Sequence, residues 1–153
     1  MFKYTTPIIK KVGKLTIYTD GGARGNPGPA AIGVLVEDPS ASSGRVKSYS
    51  EAIGNTTNNV AEYRAVIFAL TKAKALLGAD KAKETELEIR SDSELVVSQL
   101  KGEYKIKDKD LQPLFVEVWN KMQNFKKVEF VLIPREKNKE ADALVNRALD
   151  TLF

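Results

Sequence analysis

The sequence predicts an α/β fold: a five-stranded mixed sheet flanked by helices, in the order βββαβααβα. Three β-branched runs joined by short links open the chain, the pattern of an antiparallel meander. Two further apolar strand-like runs then alternate with segments of helical periodicity. Strands separated by helices join a sheet in parallel through right-handed crossovers, so these two extend the meander in parallel, with helices on both faces.

Each element has a local reason. "LTIYTD", residues 15–20, alternates apolar and polar side chains and ends at Asp20, where the glycine-rich "GGARGNPGP" signals a turn. "AAIGVLVED" (30–38) is the second strand, "PSASSG" a loop, and "RVKSYSEAIG" (45–54) the third, close enough to pair antiparallel with the second. "TTNN" offers N-caps for a helix over 60–77, which Gly78 ends. "ADKAKE" is a polar link and "TELEIRS" (85–91) the fourth strand. "DSELVVSQLKG" is a short helix stopped by Gly102, followed by the polar connector "EYKIKDKD". A helix over 111–125 accommodates Pro113 in its first turn. "KVEFVLIP" (127–134) is the fifth strand, and residues 138–153 form the closing helix. Residues 1–13 read as an N-terminal extension or extra edge segment, and 14–153 as a single domain.

The composition narrows the chemistry. The 153 residues are 42% apolar, enough for one core, and no apolar run approaches the roughly 20 residues that span a bilayer. With no targeting signal and no cysteine, a cytoplasmic location is expected. Cysteine and histidine are both absent, which excludes thiolate and imidazole metal sites, cysteine nucleophiles and serine–histidine pairs. Acid/base or metal chemistry must rest mainly on carboxylates, which favour hard ions such as magnesium or manganese. The net charge of +4 fits a polyanionic partner and equally a lysine-rich solvated surface.

Four acids stand out. Asp20 closes the first strand and Asp92 the fourth, so parallel neighbouring strands would put their carboxylates side by side. Glu62 continues the apolar helix stripe of Ala65, Val66 and Ala69, and Asp142 lies in line with Val145 and Leu149. Singly, each has an ordinary explanation. Asp-Gly is a turn signal, Glu62 could complete a capping box opened by Asn59, Ser91 and Glu94 could form another, and Asp92 and Asp142 lie near helix starts. Together they are harder to dismiss. Two like charges about 4 Å apart repel by roughly 4 kcal/mol at an effective dielectric of about 20. Four such groups would consume much of a stability of about 5–15 kcal/mol unless they take up protons or divalent cations.

Four ordered stretches carry these acids: "YTDGGARGNPGPAAIG", "GNTTNNVAEYRAV", "IRSDSELVVSQLKGEYKIKD" and "PREKNKEADALVNRAL". They resemble type 1 ribonuclease H, in its compact branch without a basic protrusion, from about Lys14 to the C-terminus. The resemblance implies the ribonuclease-H-like fold. It also implies two divalent cations, Mg²⁺ or Mn²⁺, held by Asp20, Glu62, Asp92 and Asp142, and cleavage of the RNA strand of RNA–DNA hybrids to 3′-hydroxyl and 5′-phosphate ends. By the same resemblance Gly21, Asn26 and Thr57 fall near a nucleic-acid backbone, Asn58 near RNA 2′-hydroxyls, and Glu94 near the minor groove. Arg135 occupies the loop where many relatives carry a histidine, and as a permanent cation it suits phosphate attraction better than proton transfer. The missing histidine and protrusion leave two alternatives: double-stranded RNA as a further or main substrate, or a module that binds without cutting. A monomer without a membrane or obligate protein partner is expected.

Overall fold

The computed structural model describes residues 13–40 and 44–153. The expected N-terminal segment, apart from Gly13, lies outside the described residues, as does the middle of the "PSASSG" loop.

Five strands form one sheet: β1 (Lys14–Ala23), β2 (Gly28–Glu37), β3 (Arg45–Thr56), β4 (Glu86–Ser91) and β5 (Lys127–Leu132). Their spatial order is β3-β2-β1-β4-β5. The β1–β2 and β2–β3 pairs are antiparallel, and β1–β4 and β4–β5 are parallel, as the link lengths predict. The helices are α1 (Asn58–Leu77), α2 (Ala79–Ala82), α3 (Glu94–Leu100), α4 (Gln112–Met122) and α5 (Lys139–Asp150), with a 3₁₀ turn over Arg135–Lys137.

Strand alternation assigns the two faces. Leu15 and Ile17 of β1, Val34 and Val36 of β2, and Leu87 and Ile89 of β4 pack with Tyr63, Val66, Ala69 and Leu70 of α1. Burying such a side chain is worth roughly 1.5–3 kcal/mol, so this layer holds the fold. Ala31, of opposite parity on β2, packs with Val145, Ala148 and Leu149 of α5 on the other face. There a Cβ on Gly33 would stand 2.2 Å from the Ala141 carbonyl oxygen and 2.8 Å from the Leu144 Cβ. Glycine therefore lets α5 lie directly against the sheet.

The structure corrects several expected boundaries. β1 does not end at Asp20: Asp20 pairs with Gly33, and the ladder continues to Ala23 opposite Ala30. Gly21 and Gly22 are strand residues, and the turn falls at 24–27, closed by the Arg24 N–H donating to the Pro29 carbonyl at 2.8 Å. β3 runs on to Thr56. The "ADKAKE" link contains the one-turn helix α2. Neither expected capping box forms. Thr57 caps α1 by accepting from the Val60 N–H, and Ser93, not Ser91, caps α3 by accepting from the Val96 N–H. No helix among the described residues is long and apolar enough to cross a membrane.

Candidate metal centre

The site begins where the parallel ladder stops. The last β1–β4 pair is Tyr18 with Arg90, two residues before Asp20 and Asp92. Beyond it β1 continues along β2 alone, and the carboxylates of Asp20 and Asp92 occupy the opening at the carboxyl end of the parallel pair.

Glu62 arrives from α1 because the helix comes unusually close. A Cβ on Gly21 would lie 2.3 Å from the Ala61 carbonyl carbon and oxygen and 2.5 Å from the Glu62 nitrogen. With glycine there, the Gly21 N–H donates to Glu62 Oε1 at 2.8 Å. Two further bonds hold this junction. The Ala23 N–H donates to Asn58 Oδ1 at 2.8 Å, and the Asn58 N–H donates to Asn26 Oδ1 at 3.0 Å.

One carboxylate oxygen from each of Asp20, Glu62 and Asp92 lies within 4.8 Å of the other two. Asp142 stands outside this set, exposed in the first turn of α5, where its Oδ2 accepts from Asn146 Nδ2 at 3.4 Å. It lines the same open cleft of about 580 Å³. The expected convergence of four acids is thus a tight trio with the fourth on the cleft wall.

The electrostatics are unfavourable as they stand. Burial first, then the charges of Asp92 and Asp142, raise the Asp20 pKa from 3.8 to about 7, against the pull of the Gly21 N–H and of Glu62. Burial, then Asp20 and Asp92, hold Glu62 well above its ordinary range. Among the described residues no Lys or Arg forms a salt bridge to any of the four acids. Clustered acceptor-only oxygens without an internal cation fit a hard divalent ion, so the donor set present suits magnesium or manganese.

The other expected residues fall around the cleft. Gly21 lines it, but its N–H is committed to Glu62. Thr57 caps α1, Asn26 in the turn between β1 and β2 accepts from the Asn58 N–H, and Asn58 lines the cleft. Glu94 lies on the rim, accepting from the Tyr104 hydroxyl at 3.0 Å. Arg135, exposed in the 3₁₀ turn, lines the cleft with Lys139.

One residue that sequence reasoning missed is Asn138, only 1% exposed. Its Nδ2 donates to the Thr19 carbonyl at 2.9 Å and to Asp92 Oδ2 at 3.2 Å. Its position four residues before Asp142 reads as an ordinary N-cap, and its partners are remote in the chain, so only the folded structure discloses the contact.

Known proteins resemble this chain over most of its length. Residues 18–148 match the family described as reverse transcriptase-like. The chain is 48% identical to LC11-RNase H1, isolated from compost by a metagenomic approach, with a TM-score of 0.83 over 91% of this chain and 97% of that one. The chain belongs to the ribonuclease H family. Its likeness to LC11-RNase H1 extends to the crystal structure of that protein in complex with RNA/DNA hybrid, at a TM-score of 0.84, 46% identity, and coverage of 90% and 98%. Among curated members of the ribonuclease H family, ribonuclease HI of Halobacterium salinarum is 43% identical over 139 residues, which are 90% of this chain and 65% of that one. A bifunctional protein of Mycobacterium tuberculosis is 42% identical over 137 residues. The chain spans 36% of the length of that mycobacterial relative.

Proposed function

We propose that this chain is a metal-dependent endonuclease that hydrolyses the RNA strand of RNA–DNA hybrids, leaving 3′-hydroxyl and 5′-phosphate ends. Residues 14–153 form its catalytic domain, and it acts as a cytoplasmic monomer without an obligate protein partner. The observation that carries the proposal is the trio Asp20, Glu62 and Asp92, drawn together with no salt bridge to a Lys or Arg among the described residues. Two divalent cations, Mg²⁺ or Mn²⁺, fit these three residues and Asp142. Such ions supply the Lewis acidity and charge neutralisation that phosphodiester hydrolysis needs.

The chain's own residues do the positioning. Gly21 holds the Glu62 carboxylate through its N–H, and the close helix approach at that glycine fixes where Glu62 stands. Asn26, Thr57 and Asn58 stiffen the junction of β1 and α1, the wall along which the nucleic-acid backbone passes. Asn58 reads the RNA 2′-hydroxyl, which an amide can both donate to and accept from. Arg135 draws a phosphate toward the acids, and Glu94 faces the groove at the rim. Support for the substrate comes from LC11-RNase H1, which has been crystallised with an RNA/DNA hybrid.

The test is cleavage by the purified protein of labelled RNA–DNA hybrid, double-stranded RNA and double-stranded DNA, with Mg²⁺ or Mn²⁺ and with chelator. The expected result is cutting of the hybrid's RNA strand that stops with chelator. Preferential cutting of double-stranded RNA would change the substrate, and metal-independent binding without turnover would refute the enzyme reading.

A further inference from the structure

Asn138 occupies the N-cap of α5, yet its side chain makes no capping hydrogen bond. An asparagine there normally turns its Oδ1 onto the free N–H groups of the first helical turn. Here the amide turns the other way, and Nδ2 donates to the Thr19 carbonyl and to Asp92 Oδ2. The orientation is fixed by chemistry. Both partners are acceptors, so a flipped amide would set oxygen against oxygen at each contact. The same orientation leaves the buried Oδ1 with no partner among the described residues. The helix thus forgoes its cap, and a buried oxygen goes without a donor, while both amide hydrogens serve β1 and Asp92.

Those two contacts flank the acid trio. Thr19 precedes Asp20 in β1, and Asp92 is itself a trio member. Asn138 also stands one turn before Asp142, whose N–H donates to the Asn138 carbonyl at 3.1 Å. One buried residue therefore links three of the four acids across β1, β4 and α5. We infer that Asn138 is a positioning residue that holds the Asp92 carboxylate, and the strand end bearing Asp20, in the arrangement that binds a divalent cation. By holding Oδ2 of Asp92 on its amide, it would leave the other oxygen available to an ion. This inference rests on the metal-dependent reading above. Groups that orient metal-binding side chains typically change metal affinity or activity by about 10–100-fold when removed.

The test compares wild type with Asn138→Ala and Asn138→Leu. Leucine keeps the branched heavy-atom shape and removes the amide, which separates lost packing from lost hydrogen bonds. Two readouts use Mn²⁺ as the probe: the concentration giving half-maximal hybrid cleavage, and the rise in melting temperature that Mn²⁺ gives in the absence of nucleic acid. Both variants are expected to raise the half-saturating Mn²⁺ concentration at least about 10-fold and to shrink the melting-temperature rise. Asn138→Ser, whose hydroxyl can donate one bond, should fall between them and wild type. If the variants melt lower in chelator but keep wild-type Mn²⁺ dependence in both readouts, Asn138 is a structural anchor and the inference fails. If wild type itself responds to Mn²⁺ in neither readout, the metal-dependent reading fails with it.

Discussion

Two places along the β1–β4 pair hold acids in opposite circumstances. Glu88 is mostly buried, and its side chain accepts from Arg90 Nε at 2.6 Å and pairs with Lys14 Nζ at 3.3 Å. Arg90 in turn donates to the Tyr18 hydroxyl at 2.7 Å and lies over the Tyr18 ring. Burial pushes the Glu88 pKa up, but Arg90 and Lys14 outweigh it and leave the group below its ordinary range. Two residues beyond Tyr18 and Arg90, Asp20 and Asp92 meet Glu62 with no salt bridge to a Lys or Arg among the described residues, and Asp20 rises to about 7. The protein can thus neutralise a partly buried acid on this surface, and does so at Glu88. Under the proposed function, the charge missing at the neighbouring trio is supplied by divalent cations.

The sharpest way to break this contrast is to remove one charge from each group. Asp20→Asn should lower hybrid cleavage by more than about 100-fold, beyond the range seen for groups that only orient a metal-binding side chain. In chelator the same change should raise the melting temperature by about 2–4 °C, the equivalent of roughly 1 kcal/mol in a domain of this size, because it relieves repulsion. A variant that loses both activity and metal-free stability would contradict the contrast.

Two glycines offer the next test, one on each face. Gly21→Ala should cost about 1–3 kcal/mol by forcing α1 off the strand, and cleavage should fall because Glu62 moves with the helix. Gly33→Ala should cost a similar amount by displacing α5, without touching the bond that holds Glu62. Thermal melts and cleavage rates of the two variants, measured below their melting temperatures, should therefore agree in stability loss and differ in activity.

The two acid groups should also give opposite pH slopes. Asp20 has a folded pKa above its unfolded value, so in between the folded chain holds a proton that the unfolded chain has released. In chelator, stability should therefore fall as pH rises from about 4 to about 7, and Asp20→Asn should flatten that fall. Glu88 has a lowered folded pKa. Its contribution is present above the ordinary glutamate value of 4.5 and is lost as pH drops through the lowered one. Urea melts across the pH range, with and without each substitution, separate the slopes.

The smallest expected effect is that of Glu88→Gln. A partly exposed pair of this kind is worth up to about 1 kcal/mol, so the melting temperature should fall by about 2–4 °C or less, with hybrid cleavage unchanged. A large loss of activity would mean that the two groups are not independent.

Much of this was legible in the sequence because it is encoded locally. Alternation in "LTIYTD" and "AAIGVLVED" and helical spacing around Glu62 sufficed for the sheet, its mixed order and the four acids. What was not legible depends on contacts remote in the chain. β1 runs past Asp20 because β2 pairs with Gly21, Gly22 and Ala23, overriding a strong Asp-Gly turn signal. The ordinary alternative for Glu62, a local capping box, does not form, and its carboxylate accepts from the Gly21 N–H of another element. Nothing in the local pattern singles out Asn138, whose amide serves residues 119 and 46 positions away. Local pattern identified which residues carry charge; the close approach of backbones at Gly21 and Gly33 decided where they meet.

The central claim is that the acid trio is completed by a divalent cation. Its most direct test is the melting temperature of wild type and Asp20→Asn at about pH 8, titrated with Mn²⁺ in the absence of nucleic acid. The account predicts a saturable rise for wild type and little or none for Asp20→Asn, which should start higher in chelator. Equal responses of the two proteins, or no response from wild type, would contradict it.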